Sequence, residues 1–222
     1  RHTRYIGDWS SDVCSSDLGN GVFLPEAKMI VAHENARDSQ KKVAEERGVL
    51  AEESLPGVTF KTDWSLDAGG ETVTATHRGP AHTGGDSVVH FQNANVAHMG
   101  DLVFNRFYPF IDRPAGASIR NWIEVLEQVV AAHDDQTVYI FGHGNPEFGV
   151  TGGSADLLRK RDYLSALLEF TGKGIRQGKG LEELETTEEL PGFADFKAPA
   201  DWLTLGANIK VAHEELSQDS ST

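Results

Sequence analysis

Three short stretches carry side chains that could do chemistry: Gly79-Pro80-Ala81-His82-Thr83-Gly84-Gly85-Asp86, His98-Met99-Gly100-Asp101 and Phe141-Gly142-His143-Gly144. In each, a histidine or aspartate follows a predicted strand and stands beside glycines, which let the backbone turn sharply and set the side chain in a cleft. Imidazole and carboxylate at such tips suit zinc or another borderline cation. Singly, a Gly-His-Gly or a Gly-Asp is common in turns, so the order and context of the three carry the signal.

The elements that must position them alternate between strand and helix. Met29 to Ala32 is a short apolar run, followed by helix formers from His33 to Arg47 and a stop at Gly48. Thr72 to His77, Ser87 to Phe91 and Asn95 to Met99 read as strands, punctuated by Gly84-Gly85 and Gln92-Asn93. Ser118 opens a helix with Ile119, Trp122, Ile123, Leu126, Val129 and Val130 at helical spacing, and Thr137 to Phe141 is a buried-type strand that delivers His143. Ser154 to Phe170, Leu181 to Leu190 and Trp202 to Leu216 are predicted helices. There is no internal repeat and no low-complexity linker.

Other candidates weigh less. His33, His90 and His98 sit in or beside strands and fit backbone-bonded or supporting roles, and His77 stands five residues before His82 in a similar role. His133 and His213 fall on predicted helices and are expected in solvent. Glu182, Glu183, Glu185, Glu188 and Glu189 read as a hydrated helix face. Arg78-Gly79-Pro80 lacks the Gly-Lys-Thr/Ser of a phosphate loop, and no Gly-x-Ser-x-Gly elbow supports a serine hydrolase.

The 222 residues carry 34 acidic against 20 basic side chains, a net charge of −14 that argues against nucleic acid or an anionic membrane as partner. No apolar run approaches the ~20 residues of a membrane span, so a soluble chain is expected. Residues 7 to 18, GDWSSDVCSSDL, are what a common short-read sequencing adapter encodes in one frame; Arg1-His2-Thr3-Arg4 matches its outer part, with Tyr5-Ile6 where a sample index falls. Residues 1 to 18 are therefore read as adapter-derived, and Cys14, the one cysteine, carries no functional information.

From Gly19 to about Phe148 the chain closely resembles the metallo-β-lactamase-fold superfamily, through the His82-Thr-x-Gly-Asp86 stretch, Gly100-Asp101 after a strand, and Gly142-His143-Gly144 after the next. The resemblance implies a four-layer αβ/βα sandwich and a one- or two-metal centre, with His82 on the first metal, Asp101 bridging both and His143 on the second. A carboxylate can hold two cations ~3.5–4 Å apart, which a neutral imidazole cannot.

Relatives reach these residues from a His-x-His-x-Asp-His motif followed shortly by Gly-Asn. Gly19-Asn20 fits that tail, but no such motif precedes it. Residues 19 to 222 are accordingly expected to be a partial domain, with most of the N-terminal half missing and the remaining fold loosened. The resemblance implies a hydrolase of a small ester, thioester, lactam or related substrate using metal-activated hydroxide. Zinc would bind weakly or not at all to this chain, and the chain itself would be inactive. The alternative is a metal-free remnant acting as a binding module, or a non-functional chimeric reading frame. Phe104, Phe107, Tyr108 and Phe110 either line the substrate pocket or fill the core.

Overall fold

In a computed structural model, residues 20, 25, 27–48 and 52–219 are described; residues 1 to 18, read above as adapter-derived, lie outside them. The chain divides into two compact units, residues 1–60 and 61–222. In the first, β1 (Val31–His33) leads directly into α1 (Glu34–Glu46) and pairs in parallel with β2 (Val58–Phe60), Val31 opposite Val58 and His33 opposite Phe60. His33 is buried and serves as the helix cap, its Nδ1 accepting from the Asn35 N–H at 3.2 Å.

The second unit holds a six-stranded sheet of β3 (Asp63–Asp67), β4 (Thr72–Thr76), β5 (Val88–Phe91), β6 (Val96–Asn105), β7 (Val138–Gly144) and β8 (Thr151–Gly152), side by side in chain order. Only β6 and β7 pair in parallel, and α2 (Ile119–Ala132) makes the crossover between them. Then follow α3 (Ser154–Arg176), α4 (Leu181–Glu185) and α5 (Leu205–Asp219). Strand alternation sends Val88, Ala97, Met99, Tyr139 and Phe141 into a core shared with Trp122, Leu126 and Val129 of α2, Leu157, Leu164 and Leu167 of α3 and Ile209 of α5. These residues build one sheet and one helical layer of the expected sandwich.

The first turn of α2 is closed from two directions. The Ser118 hydroxyl accepts from the Asn121 N–H at 3.3 Å, and the buried carboxylate of Glu215 on α5 accepts from the N–H groups of Ile119 at 2.9 Å and Arg120 at 3.1 Å. Arg113 completes the arrangement with an ion pair to Glu215 at 3.1 Å.

Several expected boundaries move. The strand expected over 95–99 runs on to Asn105, so Asp101 lies inside β6, and Gly142-His143-Gly144 forms the end of β7 rather than a turn after it. The helix from Ser154 continues to Arg176, and that from Leu181 stops at Glu185. The last helix starts at Leu205, where Thr204 Oγ1 accepts from the Ala207 N–H at 3.2 Å. The polar β3, Asp-Trp-Ser-Leu-Asp, escaped the sequence pattern; antiparallel pairing to β4 across Ala68 to Glu71 holds it. Among the described residues no helix is long and apolar enough to cross a membrane.

His133 is not the solvated residue expected. Its Nδ1–H donates to the Val129 carbonyl at 2.8 Å, and its ring meets His90 at 4.5 Å and Tyr139 at 5.9 Å. Burial lowers its pKa below the usual 6.5; the Val129 bond opposes this, while His90 and Arg78 add to it and Asp134 opposes. A histidine held neutral in the fold gives stability that is complete above the unfolded pKa and is lost as pH falls through about 6.5 toward the folded value. Thermal midpoints measured from about pH 7 down to about pH 5 should therefore fall more steeply in the parent chain than in His133→Gln.

The sheet face away from the helices carries an apolar row in lateral register: Leu66, Val73, Phe91, Val96 and Val138. Leu66, Phe91 and Val138 are exposed at 40%, 36% and 46%. Folded protein should bind a hydrophobic dye through this row. Replacing Leu66, Phe91 and Val138 together by Thr, which keeps strand propensity, should cut dye fluorescence several-fold while each change costs within about 0.5 kcal/mol of stability in a denaturant titration.

Candidate metal centre

The loop between β4 and β5 folds around Asp86. Its carboxylate accepts from the Thr83 N–H at 2.7 Å and the Thr83 hydroxyl at 3.0 Å, while the Asp86 carbonyl lies 2.7 Å from His77 Nδ1. The loop is also tied to its surroundings: the Asp112 N–H donates to the His82 carbonyl at 3.1 Å, and the Ser118 N–H to that of Ala81 at 3.1 Å. His82 is thereby held in a nearly closed position, with Nδ1 3.5 Å from Asp86 Oδ1 and Nε2 directed to the other side, 3.9 Å from Asp101 Oδ2. A carboxylate behind an imidazole fixes its orientation and raises its basicity.

Asp101 reaches this place through an irregular stretch of strand pairing. From His98 to Phe104 β6 advances six residues while β7 advances three, from Ile140 to His143, with register shifts on both sides of Gly100. Gly100 takes φ +51, the left-handed region that glycine tolerates. Across the pair, Gly142 leaves room: a methyl there would collide with Asp101 Oδ1 and approach the Gly100 carbonyl carbon and oxygen at 2.7 and 2.8 Å. The same oxygen, Oδ1, stands 3.3 Å from His143 Nε2, so the carboxylate faces one histidine with each of its two oxygens.

The three residues singled out in the sequence, His82, Asp101 and His143, therefore come together around one carboxylate. Among the described residues no three His, Cys, Asp or Glu side chains form a group that could hold one metal ion; the two imidazoles address different oxygens of Asp101 rather than a common point. As a donor set this fits two half-sites, each with one nitrogen and one carboxylate oxygen, the pairing that borderline divalent cations accept. The His143 side chain is 33% exposed against 6% for His82, so the cleft opens on the His143 side.

Burial lowers the His82 pKa, but the hydrogen bond and charge of Asp86, with the charges of Asp101 and Asp112, outweigh it and leave it raised. A cation binding there competes with a proton for the imidazole. Aromatic rings wall the site: Phe104 stacks on His143 at 4.6 Å and 20°, and Phe104, Trp122 and Phe110 lie 5.9, 6.0 and 6.1 Å from His82. Of the aromatic stretch, Phe104 is buried, as the core reading expects, and stacks on His143. His98 is exposed, its Nδ1 accepting from the Gly100 N–H at 3.2 Å. The role of Asp86 had a signal in its four-residue spacing from His82; Asp112 and the Trp122 ring had none.

The fold is that of a mixed α/β protein in which a loop and two neighbouring strands carry a histidine–aspartate–histidine set. The family model for the metallo-beta-lactamase superfamily matches residues 18–143, and the chain belongs to that superfamily of metallo-hydrolases. Among solved structures it is similar to a metallo-beta-lactamase from Pontibacter korlensis, at 20% identity and TM-score 0.50 over 66% of this chain and 62% of that one. It is also similar to the stereoselective inverting sec-alkylsulfatase Pisa1 from Pseudomonas sp., at 18% identity and TM-score 0.55 over 72% of this chain and 26% of that one. The chain spans less than two thirds of either length, and at these identities the likeness concerns the fold alone. No curated protein matches the sequence.

Because Asp101 occupies the volume a side chain at 142 would need, Gly142→Ala should cost about 1–3 kcal/mol in a denaturant titration. Gly57→Ala, where an added methyl meets nothing within 4 Å, should cost far less.

Proposed function

We propose that the protein from which this chain derives is a metal-dependent hydrolase of a small ester, thioester, lactam or related substrate, with His82, Asp101 and His143 among its metal ligands. One observation supports this reading above others: the two oxygens of Asp101 face two different histidines, Oδ2 toward His82 and Oδ1 toward His143. When bound, zinc or a similar cation acidifies water toward a pKa of ~7 and polarises the scissile group.

The chain's own residues do the rest. Asp86 steadies His82 with Nε2 toward the cleft. Asp101 offers one oxygen to each side, and the rings of Phe104 and Phe110 keep bulk water from the inner wall. The two similar structures are those of a metallo-beta-lactamase and an alkylsulfatase, so the fold does not choose between a lactam and an ester. A small-molecule substrate, with no nucleic acid or membrane partner, accords with the acidic charge of −14.

Each half-site draws only two donors from this set, whereas catalytic zinc usually holds three protein ligands. The sequence contains no His-x-His-x-Asp-His to supply the others. The chain by itself is therefore proposed to retain less than one zinc per molecule after chelation, reloading and repurification, and to lack enzyme-like turnover. Replacing residues 1–18 by the N-terminal half of a relative, through its His-x-His-x-Asp-His, should restore metal-dependent hydrolysis. In that chimera Asp101→Ala should cost more activity than His98→Ala, since the first removes a donor from both half-sites. Equal losses, or stoichiometric zinc in the unaltered chain, would overturn the assignment.

A further inference from the structure

The buried stripe of α3 reads Leu157, Lys160, Leu164 and Leu167, so a lysine occupies a position where helical periodicity calls for an apolar side chain. Lys160 is 1% exposed, and its Nζ has no hydrogen-bond partner among the described residues. Three rings surround it instead, with Nζ 5.2 Å from the centroid of Trp122, 5.3 Å from Tyr163 and 5.6 Å from Phe104. Burial pushes its pKa well below the usual lysine range. An amine placed like this costs stability relative to a methionine or leucine of similar volume, because nothing replaces the water it gives up.

Two of the three rings are those against which the candidate ligands rest. Phe104 stacks on His143, and both Phe104 and Trp122 lie about one ring contact from His82. Trp122 has little freedom to adjust by itself, since its indole N–H donates to the Leu102 carbonyl at 3.0 Å. The remaining ring is anchored by the Tyr163 hydroxyl, which donates to Asn208 Oδ1 at 2.7 Å. The amine thus fills the junction where the helical layer meets the wall of the metal centre.

We propose that Lys160 is a positioning residue for the metal centre: its ε-amino group, enclosed by Phe104, Trp122 and Tyr163, sets the placement of the two rings that carry His82 and His143, and with it the spacing of the imidazoles about Asp101. The contacts are of the cation–π kind, in which an ammonium is attracted to a ring face within about 6 Å of the centroid. This rests on the reading of His82, Asp101 and His143 as the donor set.

The test compares the unaltered chain with Lys160→Met, which keeps the length and removes the amine, and Lys160→Arg, which keeps a nitrogen cation among the rings. Side-chain imidazole resonances of metal-free, 15N-labelled protein report the ring positions without any cation. In Lys160→Met the His82 and His143 resonances should move, those of His98, exposed on β6, and of His213 on α5 should stay, and the thermal midpoint should stay or rise. Lys160→Arg should return the two resonances toward their original positions.

Cobalt titration supplies a second readout, with Lys160→Met binding roughly tenfold more weakly, the lower end of losing an outer support of a metal ligand. Unmoved His82 and His143 resonances in Lys160→Met would overturn the proposal, as would shifts spread over all histidines with a lowered midpoint. Should Lys160→Met not fold, Lys160→Arg decides: retained His82 and His143 resonances support the role and displaced ones overturn it. Failure of the unaltered chain and of every variant to bind cobalt agrees with two half-sites of two donors each and leaves the imidazole readout alone to judge Lys160.

Discussion

The carboxylate of Asp101 sits in the space that a side chain at position 142 would fill, and this exclusion organises the centre of the molecule. For the carboxylate to be there, β6 must depart from regular pairing, which it does around Gly100, and β7 must present a bare backbone, which it does at Gly142. The parallel pairing of these two strands in turn requires a crossover, and α2 provides it over the helical face of the sheet. Trp122 on α2 then meets His82 from the core side. Much of what surrounds the site can be traced to the accommodation of one side chain between two strands.

The histidines differ in how they are held. His82 is fixed by polar contacts, with Asp86 at one nitrogen and a loop stitched by Thr83, whereas His143 is steadied by a stacked ring and faces the opening. Such an asymmetry gives one side of the carboxylate a rigid donor and the other an accessible one. It follows from chain context: His82 lies on a loop, which needs its own internal bonds to keep shape, while His143 lies on a strand whose backbone is already fixed.

The site was legible in the sequence because its residues are short-range signatures: histidine or aspartate beside glycine, in a fixed order. The same glycines misled the reading of the elements. Gly100 and Gly142 suggest turns, yet both lie inside strands, where they permit an irregular register and a close approach. The helix start at Ser118 was readable from local capping chemistry; the cap at His33 was not, since the pattern placed His33 itself in the helix. Glu215 was not, since it meets the backbone of Ile119 from 96 residues away and nothing in the last helix announces that destination. His133 misled for a related reason: its place at a helix end suggests water, but the ring folds back against His90 and Tyr139. Lys160 was not singled out in the sequence; its burial and the rings around it are what mark it.

The Glu215 contact also has a temporal side. The helix that brings Trp122 to the site has its first N–H groups bonded by a carboxylate from the last helix, so the local sequence of α2 specifies a helix whose start is completed only by distant chain. During synthesis α2 emerges long before α5, and its first turn must meanwhile bond to water or to Ser118 alone. Closing a loop of that length precedes any reward from the contact it makes, and such contacts slow folding. The start of the helix behind His82 is therefore completed only once the last helix has been made, although its own residues are made midway.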